Sequence, residues 1–478
     1  MIKNTLIKTP EHVLSAYSDN AAVISGSSTK QFFPHPKTKK YEFHQERMHI
    51  VIKAETHNYP TAVSPFSGAS TGTGGEIRDS GSTGCGSIPK IDIILEAPLG
   101  ASEFNNEFGR PCLLGYFRTY EQNISNNNNA TKLRGYHKPI MLSGGLGLIR
   151  ETHISKKNIT SGNKLVVLGN PGMKVGLGGA SVSSLSHYIN IQTLIMQRGN
   201  PEMERRCQEV INRCCELKEN NPILFVHDVG AGGLSTTILE ILLQNQCGAI
   251  IQLRDIPNIM NMSPLEIWYK NFLVTINDRS ITGSVTRDQM IGPWQVAVSD
   301  CAVTAASFES YYGEAASIGE RSPVGILNFP AAARLSIGEA ITNIAGVYVK
   351  DIKNIKLSAN WMIDSSSEKD SYKLYQTVQE LGEKFCPKLN LTIVVGKDSM
   401  FMKTEWFYKK HKKIVIAPPS VVISACSRVE DVRATITPQL RYDIDNIILL
   451  VDLGNKFQAL GGTALSQVYQ KAWNNTPD

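Results

Sequence analysis

The sequence predicts a mixed α and β chain built as a tandem repeat whose second copy is short. Three observations lead there. Short β-branched runs punctuate the chain, segments with helical spacing lie between them, and one strand–turn–helix pattern occurs twice. The runs are Met48 to Lys53, Ile91 to Leu95, Lys164 to Leu168, Ile223 to Val226, Phe272 to Ile276, Leu391 to Val395 and Ile447 to Asp452, and their composition suits strands. The clearest helix follows Pro201, where Met203, Cys207, Val210, Ile211, Cys214 and Leu217 recur on one face. The repeated pattern is VLGNPGMKVGLGGASVSSL from Val167 and VDLGNKFQALGGTALSQVY from Val451. Each reads strand, Leu-Gly-Asn, a short gap and Leu-Gly-Gly before a helix. The first copy continues for about a hundred residues, a subdomain's length, through HDVGAGGLS at His227 to Ser235. The second ends at Asp478, so a truncated second repeat is expected. Between Asn123 and Thr131 a polar, Asn-rich tract reads as an exposed loop.

Composition narrows the class. A chain of 478 residues with 42% hydrophobic residues has ample material for several cores. No apolar run is long enough to span a bilayer, and the N-terminus lacks the apolar core of a signal peptide, so a cytoplasmic protein without a membrane partner is expected. Its nine cysteines form no CxxC pair and no metal-finger spacing, and Cys207, Cys214 and Cys215, on one helical segment, read as reduced small hydrophobes. The net charge of +6 is spread over scattered lysines such as Lys37, Lys39 and Lys40. That pattern describes a solvated surface rather than a nucleic-acid stripe. A mild basic excess suits anionic, phosphorylated small substrates.

The chemistry concentrates between Lys53 and Lys90. After the strand at Met48 to Lys53 come Glu55 and His57, then the Gly-Ser-Thr run Gly68, Ala69, Ser70, Thr71, Gly72, Thr73, Gly74, Gly75, and finally Glu76, Ile77, Arg78 and Asp79. Glycines let backbone amides approach phosphate oxygens, so the run reads either as an anion-binding concavity or as a flexible loop. Glu55 and Asp79 are hard oxygen ligands suited to magnesium on a polyphosphate, and Arg78 can grip a phosphate in a bidentate fork. Glu55 and His57 share one face of a strand, which puts an acid or base beside such a metal. A second acidic set comprises Asp300, Glu339 and Asn343. The i to i+4 spacing of the last two places both on one face of a helix, as a cation site or as a solvated surface.

ETHNYP followed by GASTGTGGEIRD resembles the signature of the phosphoribosylformylglycinamidine synthase family in its large bacterial form. The resemblance continues in order through FNNEFGRPCLLGYFRTY, GYHKPIMLSGGLG, NPEMERRCQEVINRC, ILFVHDVGAGGLS, MSPLEIW, DRSITG, RDQMIGPWQVAVSDCAVT, SYYGEAASIGERSPV, KLSANW and VGKDSM. It implies an α+β, tandem-duplicated, two-subdomain ATP-binding synthetase fold with mixed sheets flanked by helices. It also implies conversion of formylglycinamide ribonucleotide, ATP and glutamine-derived ammonia to formylglycinamidine ribonucleotide, ADP and phosphate. In the family's terms His57 is the proton acceptor and Arg78 meets the phosphorylated substrate. Gly68 through Asp79, with Gly115, Tyr116, Phe117 and Ser299, meet nucleotide. Asp300, Glu339 and Asn343 hold magnesium, as do Glu55 and Asp79 by similarity to the small form. The implied layout is a lead-in over 1–45, a first repeat with subdomains 46–160 and 161–268, a second-repeat subdomain 269–440 and the start of a last one over 441–478.

The sequence departs from the family at Tyr59, where a second histidine is usual, and at Ser299, where alanine is usual. Segments after Lys90 and after Trp268 are short. The glutaminase that releases ammonia is expected as a separate domain or chain. The alternative expectation is an inactive or split-gene remnant that acts only with complementary chains.

Overall fold

The computed structural model describes residues 1–63, 65–95, 98–116, 120–125, 131–160, 162–169, 200–230, 233–249, 282–292, 297–409, 411–441, 446–451, 459–469 and 475–478. The chain is a mixture of α-helices and mostly antiparallel sheets, as the sequence predicts. It divides into two compact units: Leu14–Cys112 with Met141–Thr282, and Met1–Val13 with Leu113–Ile140 and Gly283–Asp478. Most of the first copy of the repeated pattern and residues 452–458 of the second lie outside the described residues, as do Phe272 to Ile276 and MSPLEIW. Among the described residues no helix is long and apolar enough to cross a membrane.

In the first unit the long strand Tyr41–Thr56 is flanked by Ala22–Pro34 and Leu142–Arg150, both antiparallel to it, and Ile88–Leu95 pairs antiparallel on the far side of Leu142–Arg150. Tyr41–Thr56 changes character along its length. From Met48 to Ala54 every residue is buried, so both faces of the strand are covered; Ile50, Val51 and Ile52 run apolar without alternation, and His49 and Lys53 are buried with them. Ile52 lies opposite Ala22 on one side and Leu146 on the other. The Pro65–Gly81 helix packs against this strand and against the helices Pro98–Phe108 and Pro201–Cys215. Ile77, Phe104 and Phe108 form the buried contact between the first two helices. Pro201 opens the third helix in its first turn, and the Asn200 side chain caps it by accepting the Met203 N–H at 2.9 Å.

In the second unit five strands run in the order Cys301–Ala305, Gly313–Glu320, Ser420–Val429, Lys356–Met362, Thr392–Ser399, and only the last pair is parallel. The Phe329–Ile344 helix lies on this sheet, with Phe329, Ala333, Ile337, Ala340 and Ile344 in its core. Residues 1–13 join this unit: the Ile2–Lys8 helix is tied by Asn4 Nδ2 to the Gly382 carbonyl and by Thr392 Oγ1 to the Thr9 carbonyl.

Three predicted strands are not formed. Leu165 to Leu168 and Ile447 to Val451 are exposed and in no sheet, and Ile223 to Val226 makes no ladder. A β-branched run becomes a strand only where a neighbouring backbone supplies its hydrogen bonds. For Ile223 to Val226 the described neighbours give one, from the Lys157 N–H to the Leu224 carbonyl at 2.8 Å. Of the predicted Asn-rich loop, Asn123 to Ser125 and Thr131 belong instead to paired strands, and 126–130 lie outside the described residues.

Candidate active site

His57 stands where the Tyr41–Thr56 strand gives way to the Asn58–Val63 helix. Two bonds pin this corner to the start of the neighbouring strand: the His57 N–H donates to the Met141 carbonyl (2.8 Å), and Asn58 Oδ1 accepts the Met141 N–H (2.6 Å). The imidazole Nδ1 lies 2.6 Å from the Gly68 carbonyl oxygen. A carbonyl only accepts, so Nδ1 carries a proton and, in the neutral ring, Nε2 carries the lone pair. The ring is thereby fixed in tautomer and direction by its surroundings.

The glycine run is not a loop. Pro65–Gly81 is a helix, so its interior amides are committed to backbone bonds and do not form the concavity the sequence suggests. The glycines serve close packing instead. A Cβ at Gly68 would meet the Pro60 carbonyl group and the Thr61 nitrogen at 2.5 Å, and one at Gly72 would lie 2.9 Å from the His57 Cβ. At Gly74 it would press on the Phe104 ring at 2.7 Å and approach Glu204 Oε2 at 3.0 Å. Only Gly75 has room, its nearest neighbour being an Arg78 nitrogen at 3.6 Å. Ala69, Thr73, Glu76 and Ile77 are fully buried, Ser70 and Thr71 nearly so, and Gly75 and Arg78 reach the surface.

The charged residues of this helix are paired in a buried network. Arg110 holds Glu76, with NH2 2.7 Å from Oε2, and Ser80 Oγ donates to the other carboxylate oxygen at 2.7 Å. Arg78 NH1 donates to Glu204 Oε2 at 2.9 Å. Lys53 Nζ lies 2.7 Å from Asp79 Oδ2 and donates to the Asn20 carbonyl, while Asn20 Nδ2 donates to Asp228 Oδ1 at 3.0 Å. Burial pushes the Asp79 carboxyl well above its ordinary range; Lys53 opposes this, and Glu55 and Asp228 add to it. Burial acts the same way on Asp228, but its bond to His227, the charges of His227 and Arg78 and a bond to Asp79 hold it down at about 2. Glu55, Asp79 and Asp228 therefore crowd negative charge around a single lysine.

The donors at Glu55 and Asp79 have the chemistry for magnesium, and a cation would relieve that crowding. Among the described residues no three His, Cys, Asp or Glu side chains converge as a ready-made cage. A magnesium ion that keeps nucleotide phosphates as ligands needs only one or two protein carboxylates.

In the second unit the later acidic set is placed as follows. Glu339 and Asn343 do share a face of the Phe329–Ile344 helix, but both are engaged: Glu339 takes the Glu320 N–H (2.6 Å) and Arg321 NH1 (2.6 Å), and Asn343 Nδ2 donates to the Ile318 carbonyl. Asp300 is exposed, one residue before the Cys301–Ala305 strand. Buried Ser299 donates its hydroxyl to the Cys301 carbonyl, and its N–H to the Gln289 carbonyl. Gly115 and Tyr116 lie in the Cys112–Tyr116 strand, and Phe117 is outside the described residues.

Lys53, Arg110 and Glu204 enter the network without a sequence signal beyond their presence in motif blocks. Their partners are 26, 34 and 126 positions away, from Lys53 to Asp79, Glu76 to Arg110 and Arg78 to Glu204, and no local spacing encodes such pairs. His227 and Asp228 open the HDVGAGGLS block in the sequence, but the bond of Asp228 to Asp79 has no local signal there.

Residues 269–428 match the family model of the FGAR-AT PurM_N-like domain, and residues 160–278 match that of the AIR synthase related protein, C-terminal domain. Among solved structures, T. maritima PurL complexed with FGAR is 16% identical with a TM-score of 0.55, covering 91% of this chain and 79% of that one. Phosphoribosylformylglycinamidine synthase II from Thermotoga maritima is 15% identical with a TM-score of 0.57, covering 91% and 78%. T. maritima PurL complexed with ATP is 14% identical with a TM-score of 0.50, over the same shares. At these identities the likeness is one of fold.

Proposed function

We propose that this chain, which carries a PurL-like synthetase region, is the ligase component that converts formylglycinamide ribonucleotide, ATP and ammonia to formylglycinamidine ribonucleotide, ADP and phosphate in purine biosynthesis. The fixed tautomer of His57 is the observation that carries the reading. The amide oxygen of the substrate attacks the γ-phosphorus of ATP, releasing ADP and leaving an iminophosphate. Ammonia adds to its carbon, and phosphate departs with the former amide oxygen. The incoming nitrogen sheds a proton, and Nε2 of His57 is the base that takes it in this reading. Arg78 meets the substrate phosphate. Glu55 and Asp79 would hold magnesium in the first unit, and Asp300, Glu339 and Asn343 would hold magnesium in the second; the ion would supply positive charge to offset that of the ATP phosphates. The subdomain boundaries expected from the family belong to the same reading.

Ammonia is proposed to come from a glutaminase domain or chain. Three of the buried cysteines suit that division, because burial pushes Cys215, Cys386 and Cys426 up to about 12, far from a thiolate nucleophile. A second reading, a chain that acts only with complementary chains, is favoured by the bare apolar runs Leu165 to Leu168 and Ile447 to Val451.

The test is ADP release from purified chain given formylglycinamide ribonucleotide, ATP, magnesium and ammonium. Turnover with ammonium but not with glutamine is expected, and His57→Ala should lower kcat by about 10²–10⁴-fold with nucleotide binding retained. No turnover alone or with complementary chains removes the ligase reading; turnover only with them establishes the second.

A further inference from the structure

The partner of Arg78 is a glutamate that the reaction does not use. Glu204 sits in the first turn of the Pro201–Cys215 helix, with Oε2 bonded to Arg78 NH1 at 2.9 Å. The two ends of this pair are unequal: the Glu204 side chain is 9% exposed, while that of Arg78 is 25% exposed. The second carboxylate oxygen, Oε1, is buried and has no hydrogen-bond partner among the described residues. A buried carboxylate with one oxygen on an arginine and the other unsatisfied has lost hydration without full repayment. The arginine, in contrast, keeps an edge toward solvent, and a guanidinium has five N–H donors in a planar fork that suits phosphate in the same way it suits carboxylate.

We propose that Glu204 is a built-in stand-in for the ligand phosphate: its carboxylate occupies a face of Arg78 in the free protein and yields it when the phosphate arrives. This rests on the reading that Arg78 meets the substrate phosphate. The stand-in explains the geometry on both sides. It keeps Arg78 extended and oriented while the site is empty, and it sets a threshold that admits dianions over weaker anions, because an incoming group must outbid a carboxylate already in place.

The charged groups facing Glu204 are Arg78 and Glu76 from the Pro65–Gly81 helix and Arg110 just beyond the Pro98–Phe108 helix, with Cys207 on its own helix. Burial raises the Glu204 carboxyl to about 7 against the pull of Arg78 and Arg110. When a dianion takes over Arg78 that pull falls, so the released carboxylate takes up a proton. Anion binding and proton uptake are thereby coupled at this residue.

Sulfate tests this, since it is a dianion at every pH used. Calorimetric titration of the full chain at pH 6 and pH 8 should show binding about tenfold tighter at pH 6, with proton uptake at pH 8 seen by comparing buffers of different ionisation enthalpy. Glu204→Gln should bind sulfate about tenfold more tightly than the native chain at pH 8 and lose the pH dependence, and Arg78→Ala should lose the site. If Glu204→Gln does not fold, Glu204→Asp, which draws the carboxylate back by one methylene, should shift affinity in the same direction by less. Arg78 variants that lose sulfate while Glu204 variants bind it no more tightly than native would overturn the stand-in and leave the Arg78 reading standing. Sulfate binding unaffected by Arg78→Ala, or absent from every form including Glu204→Gln, would overturn both.

Discussion

At the scale of single residues, what distinguishes the Pro65–Gly81 helix is how differently its glycines are surrounded. Gly74 faces the Phe104 ring and Glu204, whereas Gly75, the next residue, faces only the end of the flexible Arg78 side chain. Gly74→Ala is expected to destabilise by about 1–3 kcal/mol through overpacking. Gly75→Ala should be neutral or stabilising by up to about 1 kcal/mol, because alanine is the better helix former and nothing there opposes its methyl group. Urea unfolding of the two variants compares them directly. Equal losses would mean that the packing account of this helix is wrong. The motif residues themselves were legible in the sequence: His57, Arg78 and Asp79 stand out by type and order. Their physical roles were less so. A glycine-rich string in one dimension does not say whether its missing side chains admit a phosphate or a neighbouring helix, and here Phe104, Pro60 and His57 occupy the space.

At the scale of elements, the sheet of the second unit shows the same economy. A Cβ on Gly319 in the Gly313–Glu320 strand would lie 2.1 Å from the Ser336 carbonyl oxygen and 2.5 Å from the Ala340 nitrogen. The Phe329–Ile344 helix therefore sits almost directly on the strand backbone, and Ser317 uses the closeness to donate its hydroxyl to the Ala340 carbonyl at 2.7 Å. Gly319→Ala should cost about 3 kcal/mol or more, since the obstruction is backbone and cannot rotate away. Removing the cap of the same helix with Asn328→Ala, where Oδ1 accepts the Ala331 N–H, should cost only about 1 kcal/mol. Denaturant midpoints that reverse this order would show the helix resting on something other than that contact. Strands with a laddered neighbour, such as Met48 to Lys53 and Leu391 to Val395, were found from their apolar character. The same character misled at Lys164 to Leu168 and Ile447 to Val451, because composition describes what a strand prefers and not whether a partner is beside it.

At the scale of the whole molecule, two compact units each draw on distant parts of the chain. The second gathers its first thirteen residues, a central excursion and the last two hundred or so into one body. Such an assembly leaves residues 113–140 waiting on the ends of the chain, and contacts so far apart in sequence slow folding. The fold class was legible because mixed strand and helix signals recur along the chain; the gathering of the N-terminal segment onto the Thr392–Ser399 region was not, since the Thr5 and Thr9 contacts with Ile393 and Thr392 span almost the full length.

Ile447 to Val451 gives the chain a practical lifetime. These five uncharged residues are between 73% and 94% exposed and meet the description of a segment that stacks on copies of itself. A concentrated stock should lose material to sedimentable aggregate over days, seeded by this stretch and indifferent to whether any site is filled. Leu449→Lys should slow that loss without moving the melting temperature, as followed by light scattering beside a thermal scan; unchanged scattering would place the stickiness elsewhere. Storage, not catalysis, is where this short stretch of sequence will first make itself felt.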